Sequence, residues 1–143
     1  MSKESEERLG KIIGTVLLFS ELSKKQLNGI AKSGTERRFN AGHAIVKEGE
    51  TGVGFYLILD GKVEVRKKGK VLSTLTAGDF FGEMGLIDDK PRSADVIAAS
   101  PTTTFCLSPW TFTGIVTGSP EITMRMMKVL VNRLRESNKS LTE

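Results

Sequence analysis

The sequence predicts a mainly β domain, a roll of short strands set between N-terminal and C-terminal helices. Apolar residues recur at helical spacing only near the two ends of the chain. Between Thr35 and Ser108 glycine is frequent, apolar runs are short, and turn signals separate them at close intervals, the texture of a sandwich or barrel. At 143 residues the chain is long enough for one compact domain and short for two. We read it as a single unit over 1–143, with helices over 1–34, the roll over 35–108 and helices over 109–143.

Leu9, Ile12, Ile13, Val16 and Leu17 define the apolar face of a first helix. A second, short helix starts at Ser23, where Gln26 three residues on completes a capping box. Leu27, Ile30 and Ala31 form its apolar face and Gly34 stops it. Strands are expected at Val46, Phe55–Leu59, Val63–Val65, Val71–Leu75, Val96–Ala98 and Thr103–Leu107. Asp60-Gly61 reads as a tight hairpin between two of them, and Lys68-Gly69-Lys70 as another turn. Beyond Ser108-Pro109 a short helix runs from Trp110 to Val116. A last helix is capped by Ser119, opens on Pro120 with Glu121 at the positive end of its dipole, and runs to about Ser140.

Composition excludes several functions. The chain is 38% hydrophobic and 27% charged, ordinary for a soluble globular protein. No apolar run approaches the ~20 residues of a membrane span, and the polar N-terminus lacks a secretory signal. Cys106 is the only cysteine, so no internal disulfide exists; we expect a buried, inert thiol and a cytoplasmic location. The net charge is +4 and the pI about 9.3. Acidic residues are interspersed almost throughout, so the excess reads as a solvated surface. His43 is the only histidine, too few for a metal-dependent oxygenase, and Cys106 has no histidine nearby in the sequence to make a Cys–His nucleophile. Asp88-Asp89-Lys90 is read as a loop tip, since a metal needs more converging ligands. We expect no metal, no catalytic residue and no enzyme.

The segment Gly78–Val96, GDFFGEMGLIDDKPRSADV, carries the candidate site. Gly82 and Gly85 allow a backbone to approach a ligand closely. A helical turn near Glu83–Leu86 would aim free N–H groups at one spot. Arg92 supplies a planar, permanently charged fork suited to phosphate. Glu83 supplies an acceptor pair suited to a sugar hydroxyl. This set suits a ligand with both phosphate and ribose; a Glu83–Arg92 salt bridge within a loop fits the same residues.

Phe81-Gly82-Glu83-Met84-Gly85-Leu86, followed by Pro91-Arg92-Ser93-Ala94, closely resembles the phosphate-binding cassette of the cyclic-nucleotide-binding domain family. Bacterial catabolite activators, kinase A regulatory subunits and gated channels belong to that family. Phe55–Leu59 with Gly61 and Val63-Glu64-Val65 looks like its central hairpin. The resemblance implies a double-stranded jelly roll with a short helical cassette and two C-terminal helices. It assigns Gly82 to close approach at the ribose, Glu83 to the ribose 2′-hydroxyl and Arg92 to the cyclic phosphate. Met84 stands in the same turn, and Ser93 and Ala94 line the phosphate. Threonine in place of Ser93 often accompanies cGMP preference, so the implied ligand is cAMP, with cGMP the alternative.

In the last helix, Ile122, Met124, Met126, Met127, Val129, Leu130, Val131 and Leu134 spread over roughly 220° at 100° per residue, wider than an ordinary surface helix buries. We expect it to contact its own roll and a second chain, a homodimer, as the resemblance to activator-type members also implies. Arg133 projects to the apolar side. Ser137 and Asn138 match the positions that resemble base readers, and both can bond an adenine edge; a solvated C-terminus is the other reading. No DNA-binding motif is present. The chain stops at Glu143, where activator-type relatives continue into a DNA-binding domain. Three roles follow: a free-standing sensor, the sensor half of a transcription regulator, or a roll that serves as a ligand-free scaffold.

Overall fold

The computed structural model describes residues 3–16, 19–20, 22–49, 54–82 and 94–142, with residues 3 and 137–142 described by their backbone alone. Two helices come first, α1 (Lys3–Gly14) and α2 (Lys24–Ser33). Eight strands follow: β1 (Thr35–Phe39), β2 (Ala44–Val46), β3 (Phe55–Asp60), β4 (Lys62–Lys67), β5 (Lys70–Thr76), β6 (Phe80–Phe81), β7 (Asp95–Ala98) and β8 (Thr102–Leu107). Helices α3 (Pro109–Gly118) and α4 (Pro120–Thr142) close the chain.

Local chemistry sets the helix starts. At Ser23 the capping box forms: the Gln26 amide donates to Ser23 Oγ at 3.1 Å, and the Ser23 amide donates to Gln26 Oε1 at 2.9 Å. Ser108 caps α3 by accepting from the Thr111 amide at 3.2 Å, ahead of Pro109.

The strands form two antiparallel sheets, ordered β1-β8-β3-β6 and β2-β7-β4-β5. The first lies between the second sheet and the helices, and β3 shows why. Along Phe55-Tyr56-Leu57-Ile58 alternate side chains serve two different cores. Phe55 and Leu57 join Leu9, Ile13, Ile30, Phe80, Phe105, Phe112, Ile122 and Met126 on the helical side. Tyr56 and Ile58 join Val46, Val63, Phe81, Val96 and Ala98 between the sheets. A strand buried on both faces reads as an unbroken apolar run, and Phe55–Leu59 is one.

The architecture is the β-roll with flanking helices that the sequence predicts. Three local expectations need correction. Asp60-Gly61 does turn, but β3 and β4 do not pair: β3 bonds β8 and β6, while β4 bonds β5 and β7. The turn is a corner between the sheets. Gly61 has φ +104°, and a Cβ there would lie 2.6 Å from the Pro101 carbonyl oxygen. Two strands, β1 and β6, lie outside the predicted set. In β1 four of five residues are exposed and polar or charged, and β6 has only two residues. Cys106 is half-buried and joins the inter-sheet core from its edge.

Among the described residues no helix is long and apolar enough to cross a membrane. The wide apolar arc of α4 divides by exposure, with Val129 and Leu130 half-buried against the helical-side core. Ile122 and Met126 are buried, while Met124 (53%), Met127 (53%), Val131 (46%) and Leu134 (61%) are exposed. Trp110 stands out on α3 with 88% of its surface exposed.

Candidate functional site

Strand β6 ends one sheet and β7 runs inside the other, so the segment between them crosses from sheet to sheet. Its first flank is held by strand pairing and ring contact. Phe80 pairs with Leu57, and Phe81 pairs with Tyr56 and stacks on it with ring centroids 5.0 Å apart and planes 8° from parallel. The pairing continues before β6: Ile58 N–H donates to the Asp79 carbonyl and Gly78 N–H to the Ile58 carbonyl, each at 2.9 Å. Asp79 Oδ2 closes the preceding turn by accepting from the Thr76 amide at 2.9 Å.

Gly82 follows with φ +95°, a conformation that side chains rarely adopt. It is half-buried. Ala94, also half-buried, is the last residue before β7. Of the expected site residues, the structure thus sets Gly82 and Ala94 at the two mouths of the segment. Glu83, Met84, Arg92 and Ser93 lie outside the described residues, as does Asp88-Asp89-Lys90. Ser137 and Asn138 fall within α4, near its C-terminal end.

One contact joins α4 to this flank. Arg133 Nη2 donates to the Phe80 carbonyl oxygen at 2.9 Å, and its guanidinium carbon sits 4.7 Å from the centroid of the Phe80 ring. Phe80 meets Phe55 at 5.2 Å between centroids, and Phe55 stacks on Phe112 of α3 at 4.8 Å. A chain of contacts therefore runs from α4 through β6 and β3 to α3. Helical spacing puts Arg133 on the apolar side of α4, but its partner lies 53 residues earlier. Nothing in the sequence marks the Phe80–Phe55–Phe112 relay, whose members read as ordinary core residues.

Other polar residues serve the scaffold. The His43 ring lies tilted against Phe39 with centroids 5.3 Å apart, in a turn where its amide donates to the Asn40 carbonyl. Among the described residues no cluster of three or more His, Cys, Asp or Glu stands close enough to hold a metal ion. A shallow groove lined by Lys24, Lys25, Asn28, Gly29 and Lys32 is formed by α2 alone and includes neither Gly82 nor Ala94.

Comparison with known proteins agrees with this fold. The family model described as "Cyclic nucleotide-binding domain" matches residues 36–118. The chain is 42% identical over 87 residues to a cGMP-dependent protein kinase of Plasmodium berghei, covering 61% of this chain and 10% of the relative. It is also 42% identical over 85 residues to a cAMP-dependent protein kinase regulatory subunit of Yarrowia lipolytica, covering 58% of this chain and 23% of the relative. The chain thus spans less than a quarter of the length of these curated relatives. Among solved structures, the catabolite activator protein of Thermus thermophilus superposes with a TM-score of 0.77 at 28% identity, over 87% of this chain and 61% of that one. With the family model matched across 36–118, more than half the chain, this protein belongs to the cyclic nucleotide-binding domain family.

Proposed function

We propose that this chain is a non-catalytic sensor module that binds cAMP in the segment between Gly82 and Ala94 and reports it through α4. The Arg133–Phe80 contact carries the reading, because it ties α4 to the strand that leads into that segment. A ligand that shifts the backbone after Phe81 changes the geometry of this tie. It biases α4 to the extent that it binds one helix position better than another.

The roles follow the family motif. Arg92 pairs with the cyclic phosphate, Glu83 accepts from the ribose 2′-hydroxyl, and Gly82 and Met84 shape the turn. Ser93 and Ala94 line the phosphate, and Ser137 and Asn138 meet the base. Relatives named for cGMP and for cAMP are equally identical to this chain, so the preference for cAMP rests on serine at position 93. The module works in the cytoplasm, as a homodimer. The dimer is supported by the outer stripe of α4: Met124, Met127, Val131 and Leu134 alternate at spacings of three and four residues and are all exposed.

Calorimetric titration with cAMP and, separately, cGMP tests the reading. We expect saturable binding with cAMP the tighter ligand, and a rise in melting temperature at excess cAMP by mass action. Arg92→Ala should abolish that rise. A folded, nucleotide-free protein that gives no heat with either ligand would refute the sensor, and an undiminished rise in the variant would refute the role of Arg92.

A further inference from the structure

The β4–β5 hairpin ends in a tip unlike the mixed surface around it. Arg66, Lys67, Lys68 and Lys70 surround Gly69, and no acidic residue occurs from Arg66 to Gly78. Lys68 and Gly69 have φ of +52° and +79°, as a tight turn matched to the strand twist requires. Arg66 is engaged by the Glu64 carboxylate, and its ladder partner in β7 is Asp95. The charge projecting past the sheet is that of Lys67, Lys68 and Lys70, all exposed.

Two aliphatic side chains share the tip. Val71 is 50% exposed and Leu72 is 59% exposed. Arg66 faces Val71 and Val65 faces Ser73, which leaves Leu72 as the extra residue of a bulge. A bulge bends its strand and re-aims side chains. Because β5 is the outer strand of its sheet, no strand among the described residues lies beyond it.

We propose that this tip is a peripheral docking site for an anionic membrane surface. The three lysines meet the negative headgroups, and Val71 and Leu72 enter the boundary between headgroups and acyl chains. Nucleic acid would also attract the lysines. It offers no apolar layer to two aliphatic side chains, and the tip has neither an aromatic ring nor an uncommitted arginine to stack on bases. The site is independent of the nucleotide reading.

Each lysine beside an anionic bilayer favours binding by about fivefold, so the three together contribute about a hundredfold. The test is sedimentation of the whole chain with phosphatidylcholine vesicles, with and without a third of phosphatidylserine. We expect binding only to the anionic vesicles, weakened by salt. Lys67→Ala/Lys68→Ala/Lys70→Ala should lose about a hundredfold. Val71→Ser/Leu72→Ser should lose several-fold while keeping the salt dependence. All five positions are exposed, so both variants should melt like the parent. The proposal is overturned if the parent ignores anionic vesicles, including the case in which it instead retards a short DNA duplex. It is equally overturned if either variant binds as the parent does.

Discussion

Replacing Arg133 with methionine keeps an aliphatic stem and removes the guanidinium that joins α4 to β6. The lost hydrogen bond, from a charged donor to the Phe80 carbonyl at 2.9 Å, is worth about 1.5–3 kcal/mol. The lost cation–π contact at 4.7 Å is worth about 0.5–1 kcal/mol at a partly exposed site. Arg133 is half-buried, and water replaces some of what is removed, so the net cost should be about 2 kcal/mol. With an unfolding entropy of about 2.1 cal/mol/K per residue over 143 residues, each kcal/mol moves the melting temperature by about 3 °C. Arg133→Met should therefore melt about 6 °C below the parent. Arg133→Lys, which keeps the charge without the planar fork, should fall between them. Thermal unfolding followed by circular dichroism reads all three. A methionine variant melting with the parent would refute the claim that this contact holds α4 down, and with it the observation that carries the sensor reading.

The corner between the sheets and the outer stripe of α4 give two more tests. Gly61→Ala places a Cβ 2.6 Å from the Pro101 carbonyl oxygen at φ +104°, whereas Gly69→Ala, at φ +79°, meets nothing within 4 Å. The second should cost about 1 kcal/mol from backbone conformation alone. The first should cost about 3 kcal/mol or more, because overpacking adds to that strain; equal urea midpoints would show that the corner has room to relax. Leu134→Asp, at a side chain 61% exposed, should convert the proposed dimer to a monomer in analytical ultracentrifugation, and a parent that sediments as a monomer would refute the dimer. Its effect on the stability of the separated chain should stay within about 0.5 kcal/mol.

What the sequence disclosed follows from the range of the interactions involved. Phe55–Leu59 announces itself because double-sided burial leaves no room for polar residues, and Ser23 with Gln26 announces a helix start because capping is local. Asp60-Gly61 discloses the turn but not the change of sheet, since the choice of partner strand is made by distant residues in β6 and β8. Strand β1 is hidden because its Thr-Glu-Arg-Arg stretch lies on the sheet edge and pairs with β8 far along the chain. The motif from Phe81 to Ala94 discloses the candidate site through residue types at fixed spacing. The Arg133 tie escapes because its acceptor is a backbone carbonyl, which every residue possesses. The charge pattern reads as evenly mixed because Arg66–Lys70 is a short run; the structure pairs Arg66 with Glu64 and sets it opposite Asp95, and the hairpin carries Lys67, Lys68 and Lys70 beyond both carboxylates.

The exposed Trp110 has an optical consequence. It is the only tryptophan in the chain, so the indole emission of the whole protein comes from the first turn of α3. With 88% of its surface exposed, that emission reports water and is open to quenching by iodide. Its helix rests, through Phe112 and Phe55, on the strand that also supports Phe80. Any event that covers Trp110, whether within the domain or across a subunit boundary, will shift the emission to the blue and shield the indole. The protein thus carries its own fluorophore on the helix at the far end of the relay from Arg133, and rearrangement there can be timed in a stopped-flow instrument without attaching a label.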